Sequence, residues 1–227
     1  MEAKKVLVTG GSHGIGEAVV RAMRKMDWPM MFTGRNEERL KQVADETGAH
    51  MLQADVSIPE DNQKTVDFAL ERLGGIDVLI NNAAYGYGAP IGELDVDAMK
   101  QMFDTNVFGL VDLTNRVVPH LKKNGGDIVN IASTSGIKGH KNGTAYSGSK
   151  WAVRGISQCW QAELRPHDIR VICLCPSEVQ TGWGGKEKTQ NPKKLFAEDI
   201  AGSIVGVLSM EQRGFIPEYA VFATNPF

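Results

Sequence analysis

Tyr146 and Lys150 are the residues of this sequence best suited to moving a proton at a carbonyl or alcohol oxygen. They stand in the stretch Thr144-Ala145-Tyr146-Ser147-Gly148-Ser149-Lys150, and Ser133 lies 13 residues upstream of the tyrosine. On a helix, the i, i+4 spacing sets both side chains on one face, close enough to share a site. A phenol with an unperturbed pKa of about 10 is a poor acid or base at neutral pH, but an adjacent ammonium favours the phenolate and draws the pKa toward the operating range. A Tyr and a Lys four apart also coincide by chance on many helices, so the pair takes its meaning from the elements that would position it.

Composition limits what those elements can be. The chain has 227 residues, 42% hydrophobic and 23% charged, with a formal net charge of -2. This fits one α/β domain built on a single large core, with little room for a second substrate domain. The near-neutral balance argues against nucleic acid as a partner, because phosphate binding shows as a basic excess or stripe. The Lys186 to Lys194 cluster is interrupted by Glu187, Thr189, Gln190 and Asn191 and reads as a solvated loop. Residues 1 to 9 lack the apolar core of a signal peptide, and no apolar run approaches the ~18 residues of a membrane span. The expectation is a soluble cytoplasmic protein without membrane contact. Of the three cysteines, Cys173 and Cys175 share one face of a buried-looking strand, which points to buried thiols and no metal site.

Lys4 to Thr9 reads as a first strand, followed by Gly10-Gly11-Ser12-His13-Gly14-Ile15-Gly16 and a helix to about Met26. Glycines there let the backbone approach a ligand, and the helix N-terminus offers free N–H groups to a phosphate. The spacing Gly10-x-x-x-Gly14-x-Gly16 departs from G-x-G-x-x-G, and a glycine turn alone is weak support for a nucleotide. Met30 to Thr33 is a second strand and ends at Gly34-Arg35. An NAD-binding fold places an acid there for the ribose 2′-OH. Gly34 holds that place and Arg35 follows, which favours NADP over NAD; the plainer reading of Arg35 is a solvated charge before a helix capped by Asn36.

His50 to Gln53 is a third strand, ending at Asp55, and Ser57-Ile58-Pro59-Glu60 reads as a capping box opening a helix to about Leu73. Asp77 to Ile80 is the fourth strand and runs into Asn81-Asn82-Ala83-Ala84, which places the asparagines at the carboxyl edge of a parallel sheet. Asp95 caps a long helical stretch to about Lys122 with Asn106 near its middle. Asp127 to Ile131 is the fifth strand, with Ser133 directly after it and no Gly-x-Ser-x-Gly elbow of a hydrolase. His140 lies in the loop that leads to the Tyr146 helix and is either a substrate contact or a solvated histidine. Arg170 to Cys175 is the sixth strand, followed by Pro176-Ser177-Glu178-Val179-Gln180-Thr181. Residues 182 to 196 form a lid loop with Trp183 as an apolar cover and Gly182, Gly184 and Gly185 as hinges. A helix from about Ala197 to Met210 and a strand Tyr219 to Phe222 complete the chain. Strands alternating with helices predict a Rossmann-like, doubly wound parallel sheet of about seven strands, α/β in class.

Over nearly all of its length the chain resembles the short-chain dehydrogenase/reductase family. The resemblance rests on Thr9-Gly10-x-x-x-Gly14-x-Gly16, Asp55, Asn81-Asn82-Ala83, Asn106, Ser133, Tyr146-x-x-x-Lys150 and Pro176 through Thr181, in the family's order and spacing. It implies a catalytic tetrad. Tyr146 would be the general acid or base, Lys150 would lower its pKa and hold the nicotinamide ribose, Ser133 would orient the carbonyl, and Asn106 would position a water in a proton relay. It implies a cofactor site of Gly10, Ser12, His13, Gly14, Ile15, Gly16 and Arg35, with Asp55 and Val56 flanking the adenine. Asn82 and Ala83 would support the dinucleotide, and Pro176, Val179 and Thr181 would hold the carboxamide side. NADP(H) is the implied cofactor, a small carbonyl compound the substrate, and a homodimer or homotetramer the assembly, paired through residues 101–122 and 146–165. Ala84, Ser177 and Ala132 depart from the family's usual residues without removing a catalytic group. The reading is an NADPH-dependent reductase of a ketone or aldehyde, with a non-catalytic NADP-binding sensor or scaffold as the alternative. An epimerase or dehydratase is disfavoured, since those resemble longer chains with an added substrate region.

Overall fold

A computed structural model describes residues 3–182 and 191–224. Seven strands, β1 (Val6–Val8), β2 (Met30–Gly34), β3 (His50–Gln53), β4 (Val78–Asn81), β5 (Gly126–Ile131), β6 (Ile169–Pro176) and β7 (Glu218–Val221), form one sheet in the order β3-β2-β1-β4-β5-β6-β7. Every neighbouring pair is parallel. All seven strands fall within two residues of their predicted positions. The helices are α1 (Gly14–Lys25), α2 (Glu37–Thr47), α3 (Pro59–Leu73), α4 (Val96–Phe103), α5 (Leu110–Leu121), α6 (Thr144–Leu164) and α7 (Ala197–Leu208). Among the described residues, no helix is long and apolar enough to cross a membrane.

The strand sequences explain why helices cover both faces. Val-Leu-Val of β1 and the whole of β2, β4 and β6 are buried, as strands of a doubly covered parallel sheet must be. Alternation then sends Val6, Val8 and Ile80 into one core with Ile200 and Ile204 of α7, and Leu7 and Leu79 into the other with Leu113 and Val117 of α5. Because β1 lies between β2 and β4, the strand order reverses there. The carboxyl ends of β1 and β4 therefore open onto the crevice where such sheets bind ligands.

The opposite, amino-terminal edge of the sheet is closed by a charge cluster. Asp127, with no exposed surface, accepts from Arg170 Nε at 2.6 Å and Nη2 at 3.1 Å and from Lys4 Nζ at 2.7 Å. Arg170 Nη1 also donates to the carbonyls of Met210 and Gly214, each at 3.1 Å, which ties the chain after α7 to the sheet.

Two local expectations need correction. Ser57 does not open a capping box: Ile58 is the N-cap of α3, Pro59 starts the helix, and Ser57 Oγ donates to Asp55 Oδ1 at 2.7 Å instead. Proline at the first helical position sacrifices only an N–H that has no partner within the helix anyway. The stretch from Asp95 to Lys122 is also not one α-helix. Asp95 caps α4 as expected, accepting from the N–H groups of Asp97 and Ala98, but Asp104–Gly109 widens into a π-helical turn before α5 begins. Trp183, Gly184 and Gly185 of the expected lid lie outside the described residues.

Candidate active site

A cavity of about 940 Å³ runs along the carboxyl ends of β1, β2, β4, β5 and β6. At one end it is lined by the glycine turn, with Gly10, Ser12, His13, Gly14 and Ile15 on the wall. Gly16 lies behind that wall: a Cβ there would stand 2.1 Å from Gly10 O, so glycine is what lets α1 close against its own turn. Asn82 and Thr9 fasten this turn to the loop after β4. Asn82 Nδ2 donates to the carbonyls of Thr9 and Gly10 at 2.9 and 3.0 Å, and Thr9 Oγ1 accepts from the N–H groups of Asn82 and Ala83, both at 3.0 Å. Asn82 and Ala83 line the cavity as well, so the asparagine fixes the turn while facing the ligand space.

At the end of β2 the wall carries Gly34, Arg35 and, a turn further on, Arg39. Sequence reasoning missed Arg39. Its i, i+4 spacing from Arg35 across the α2 N-terminus is the signal that would have found it, since Asn36 caps that helix by accepting from Arg39 N at 2.9 Å. Arg35 is largely exposed and its Nη1 lies 3.7 Å from Asp55 Oδ2. Asp55 and Val56 line the same stretch, and Pro176, Val179 and Thr181 line the facing wall, where Thr181 packs on Gly14. Two guanidiniums, a serine hydroxyl and a helix N-terminus form a donor set that suits the phosphates of a dinucleotide.

Ser133, Tyr146 and Lys150 converge at the other end. Ser133 leaves β5, caps a single 3-10 turn by accepting from Ser135 N at 3.1 Å, and is hydrogen-bonded to the Tyr146 phenol. Tyr146 sits in the first turn of α6, and Lys150 follows on the same face. Lys150 Nζ donates to Ile131 O at 2.8 Å and lies 5.9 Å from the Tyr146 ring centroid.

The electrostatics differ from the expected lowering of the phenol by the lysine. Burial pushes the Tyr146 phenol above its ordinary value, with the Ser133 hydrogen bond opposing it. Burial likewise pulls Lys150 down, to about 8. In the protein alone, desolvation is the largest influence on each group, opposed by Ser133 at the tyrosine and by Cys173 and Cys175 at the lysine, and each group is drawn toward its neutral form.

Asn106 is not on the cavity wall. Buried in the π-helical turn, its Oδ1 accepts from Tyr85 N at 3.0 Å, and its Nδ2 donates to Tyr85 O at 2.9 Å and Ser149 Oγ at 3.1 Å. The side chain thus clasps the loop after β4 to α6, next to Tyr146, instead of reaching the ligand space. Ser149 completes the link by donating to Tyr146 O at 2.8 Å.

A family model described as short chain dehydrogenase matches residues 4–192. An uncharacterized oxidoreductase of Staphylococcus saprophyticus is 33% identical over 97% of both chains. Among solved structures, the alcohol dehydrogenase of the archaeon Thermococcus sibiricus, complexed with 5-hydroxy-NADP, superposes with a TM-score of 0.92 at 27% identity, covering 98% of this chain and 97% of that one. The 3-ketoacyl-(acyl-carrier-protein) reductase of Brucella melitensis, complexed with NADH, does so with a TM-score of 0.92 at 25% identity and covers 98% of each.

Proposed function

The chain belongs to the short chain dehydrogenase family and is an NAD(P)-dependent oxidoreductase, and from that premise we propose that it is an NADPH-dependent reductase of ketones or aldehydes. The observation that carries this reading is the convergence of Ser133, Tyr146 and Lys150 at one end of a cavity whose far end holds Arg35 and Arg39. A nicotinamide dinucleotide held along this cavity would supply a hydride to the carbonyl carbon, and the protein supplies geometry and the proton.

Ser133 orients the carbonyl oxygen by hydrogen bonding. As the C=O π bond breaks, the oxygen takes the Tyr146 hydroxyl proton, so the carbonyl is reduced to an alcohol and the phenolate is left to be reprotonated from solvent. Burial keeps that phenol protonated at neutral pH, which suits an acid in the direction of reduction. The reverse, alcohol oxidation, needs the phenolate and should rise with pH. Asn106 acts as a positioning residue through Tyr85 and Ser149, and not by contact with the reacting atoms.

The preference for NADPH is supported by the two arginines and by the absence of a carboxylate at Gly34, against which any 2′-phosphate would be repelled. The assembly we propose is a homo-oligomer. Phe108 in the π-helical turn, 61% exposed, and Trp151 on α6, 48% exposed, give these stretches an apolar surface, and light scattering in solution would test it.

A panel of small ketones and aldehydes, followed by nicotinamide absorbance with NADPH and with NADH, tests the function. Tyr146→Phe should retain NADPH binding and lose about 10²- to 10⁴-fold in kcat, the usual worth of general acid catalysis. No turnover of any carbonyl by the wild type would favour a dinucleotide-binding scaffold, and an unimpaired Tyr146→Phe would refute the proton donor.

A further inference from the structure

Ser135, His140, Ser177 and Glu178 also line the cavity, and His140 is held in a defined way. Its Nδ1 lies 3.0 Å from the Lys141 carbonyl oxygen. A carbonyl only accepts, so Nδ1 carries a proton, and in that tautomer Nε2 is an acceptor. The ring's position is fixed from below. A Cβ on Gly143 would stand 2.6 Å from His140 Cε1 and 2.8 Å from both ring nitrogens, so the imidazole lies flat against a bare Cα. Gly143 N also donates to His140 O at 3.0 Å, closing the turn that leads into α6 three residues before Tyr146. Glycine at 143 and the Lys141 carbonyl together orient an exposed side chain that would otherwise sample several rotamers. Among the described residues nothing bonds to Nε2.

We infer that the substrate carries a hydrogen-bond donor, a hydroxyl or an amine, next to its reacting carbonyl, and that His140 Nε2 accepts from it. His140 is then the specificity-determining residue, and the substrate class is small hydroxy- or amino-carbonyl compounds, not simple apolar ketones. The inference rests on the reductase reading above.

The test compares hydroxyacetone with methoxyacetone, which keeps the electron-withdrawing oxygen but has no donor, and with butanone, a ketone of similar size. Aminoacetone, run in parallel, separates hydroxyl from amine recognition. With NADPH, wild type should favour hydroxyacetone over methoxyacetone by about two- to tenfold in kcat/KM, chiefly through KM, as a hydrogen bond of ordinary strength gives. His140→Phe keeps a flat ring over Gly143 and removes the acceptor. It should bring the ratio near one. A wild-type ratio near one, or a ratio preserved in His140→Phe, overturns the inference.

A second readout needs no turnover. In Tyr146→Phe labelled with ¹⁵N, the His140 Nε2 resonance should shift on adding hydroxyacetone and stay in place with methoxyacetone. That shift together with a wild type inert on every carbonyl would refute the reductase reading and leave the donor-recognising site standing. No shift with either ketone refutes the site.

Discussion

Lys150 carries the largest electrostatic cost of the site, and that cost has a sign that can be measured. Burial lowers its folded value to about 8 from an ordinary 10.5. Between those two values the unfolded chain binds more protons than the folded one, so stability rises with pH across that window and is lowest, on this account, below pH 8. At 1.36 kcal/mol per unit of pKa, the difference between pH 7 and pH 10 is roughly 2 kcal/mol. Urea unfolding of wild type and Lys150→Met at both values isolates it: the stability of wild type minus that of the variant should increase by roughly 2 kcal/mol toward pH 10, and a flat difference would mean that the ammonium is solvated. At the other end of the cavity the residues in question are Arg35 and Arg39. One charge-assisted hydrogen bond to a 2′-phosphate contributes about 1.5 to 3 kcal/mol, or ten- to a hundredfold in binding. Arg35 is 68% exposed and shared with Asp55, so Arg35→Ala should fall near the tenfold end for NADPH and leave NADH unchanged. Arg35→Ala with Arg39→Ala should lose more than either alone. A Gly34→Asp change would be a less clean probe, because its Cβ would stand 2.9 Å from Ser12 Oγ. A wild type that already prefers NADH in kcat/KM would show that the end of β2 has been misread.

Elements were legible in the sequence wherever a single period or a single cap decided them. The strands announce themselves as short apolar runs between turn residues, and Asn36 and Asp95 cap their helices as their types suggest. What the sequence hid depends on partners distant along the chain. Asn106 is an ordinary polar residue within a helical pattern, and nothing local says that its amide will take both backbone groups of Tyr85, 21 residues away. The π-helical turn is therefore visible only once the loop after β4 is in place, and such turns often mark functional sites. The cavity-lining place of Arg39 is hidden for the same reason, since it depends on how α2 meets the glycine turn. Asn106→Leu should leave the Tyr85 N–H and carbonyl without their partners. The expected cost is about 1 to 3 kcal/mol in urea unfolding, at the lower end because water can reach a half-buried loop. Turnover should fall as well, because the loop after β4 and Ser149, which bonds Tyr146 O, lose their common clasp. A variant of wild-type stability would show that the clasp is not what holds the turn open.

In the whole molecule, a parallel sheet puts every strand's beginning on one edge and every strand's end on the other, and the two edges are built for different purposes. The carboxyl edge carries the cavity and holds a largely exposed arginine, a buried ammonium and a desolvated phenol. The amino edge carries Asp127, wholly buried, held by Arg170 and Lys4. A buried ion pair adds little net stability compared with well-packed apolar residues, yet removing one partner leaves an uncompensated charge and typically costs 3 to 5 kcal/mol. Arg170→Met should therefore cost about 3 kcal/mol, the smaller figure because Lys4 remains within 2.7 Å of the carboxylate. It also releases the carbonyls of Met210 and Gly214, and with them the approach to β7. Asp127→Leu combined with Arg170→Met removes both charges and should recover most of the loss, so the double-mutant cycle separates the stranded carboxylate from the lost tether. Below the unfolding transition, kcat of Arg170→Met should match wild type, since no described contact of this cluster reaches Ser133, Tyr146 or Lys150. Tyr146→Phe should show the converse, an unfolding midpoint near wild type with turnover gone. If Arg170→Met lost activity while still folded, the two edges would be coupled through β5 and β6, and the separation of stability from chemistry in this sheet would fail.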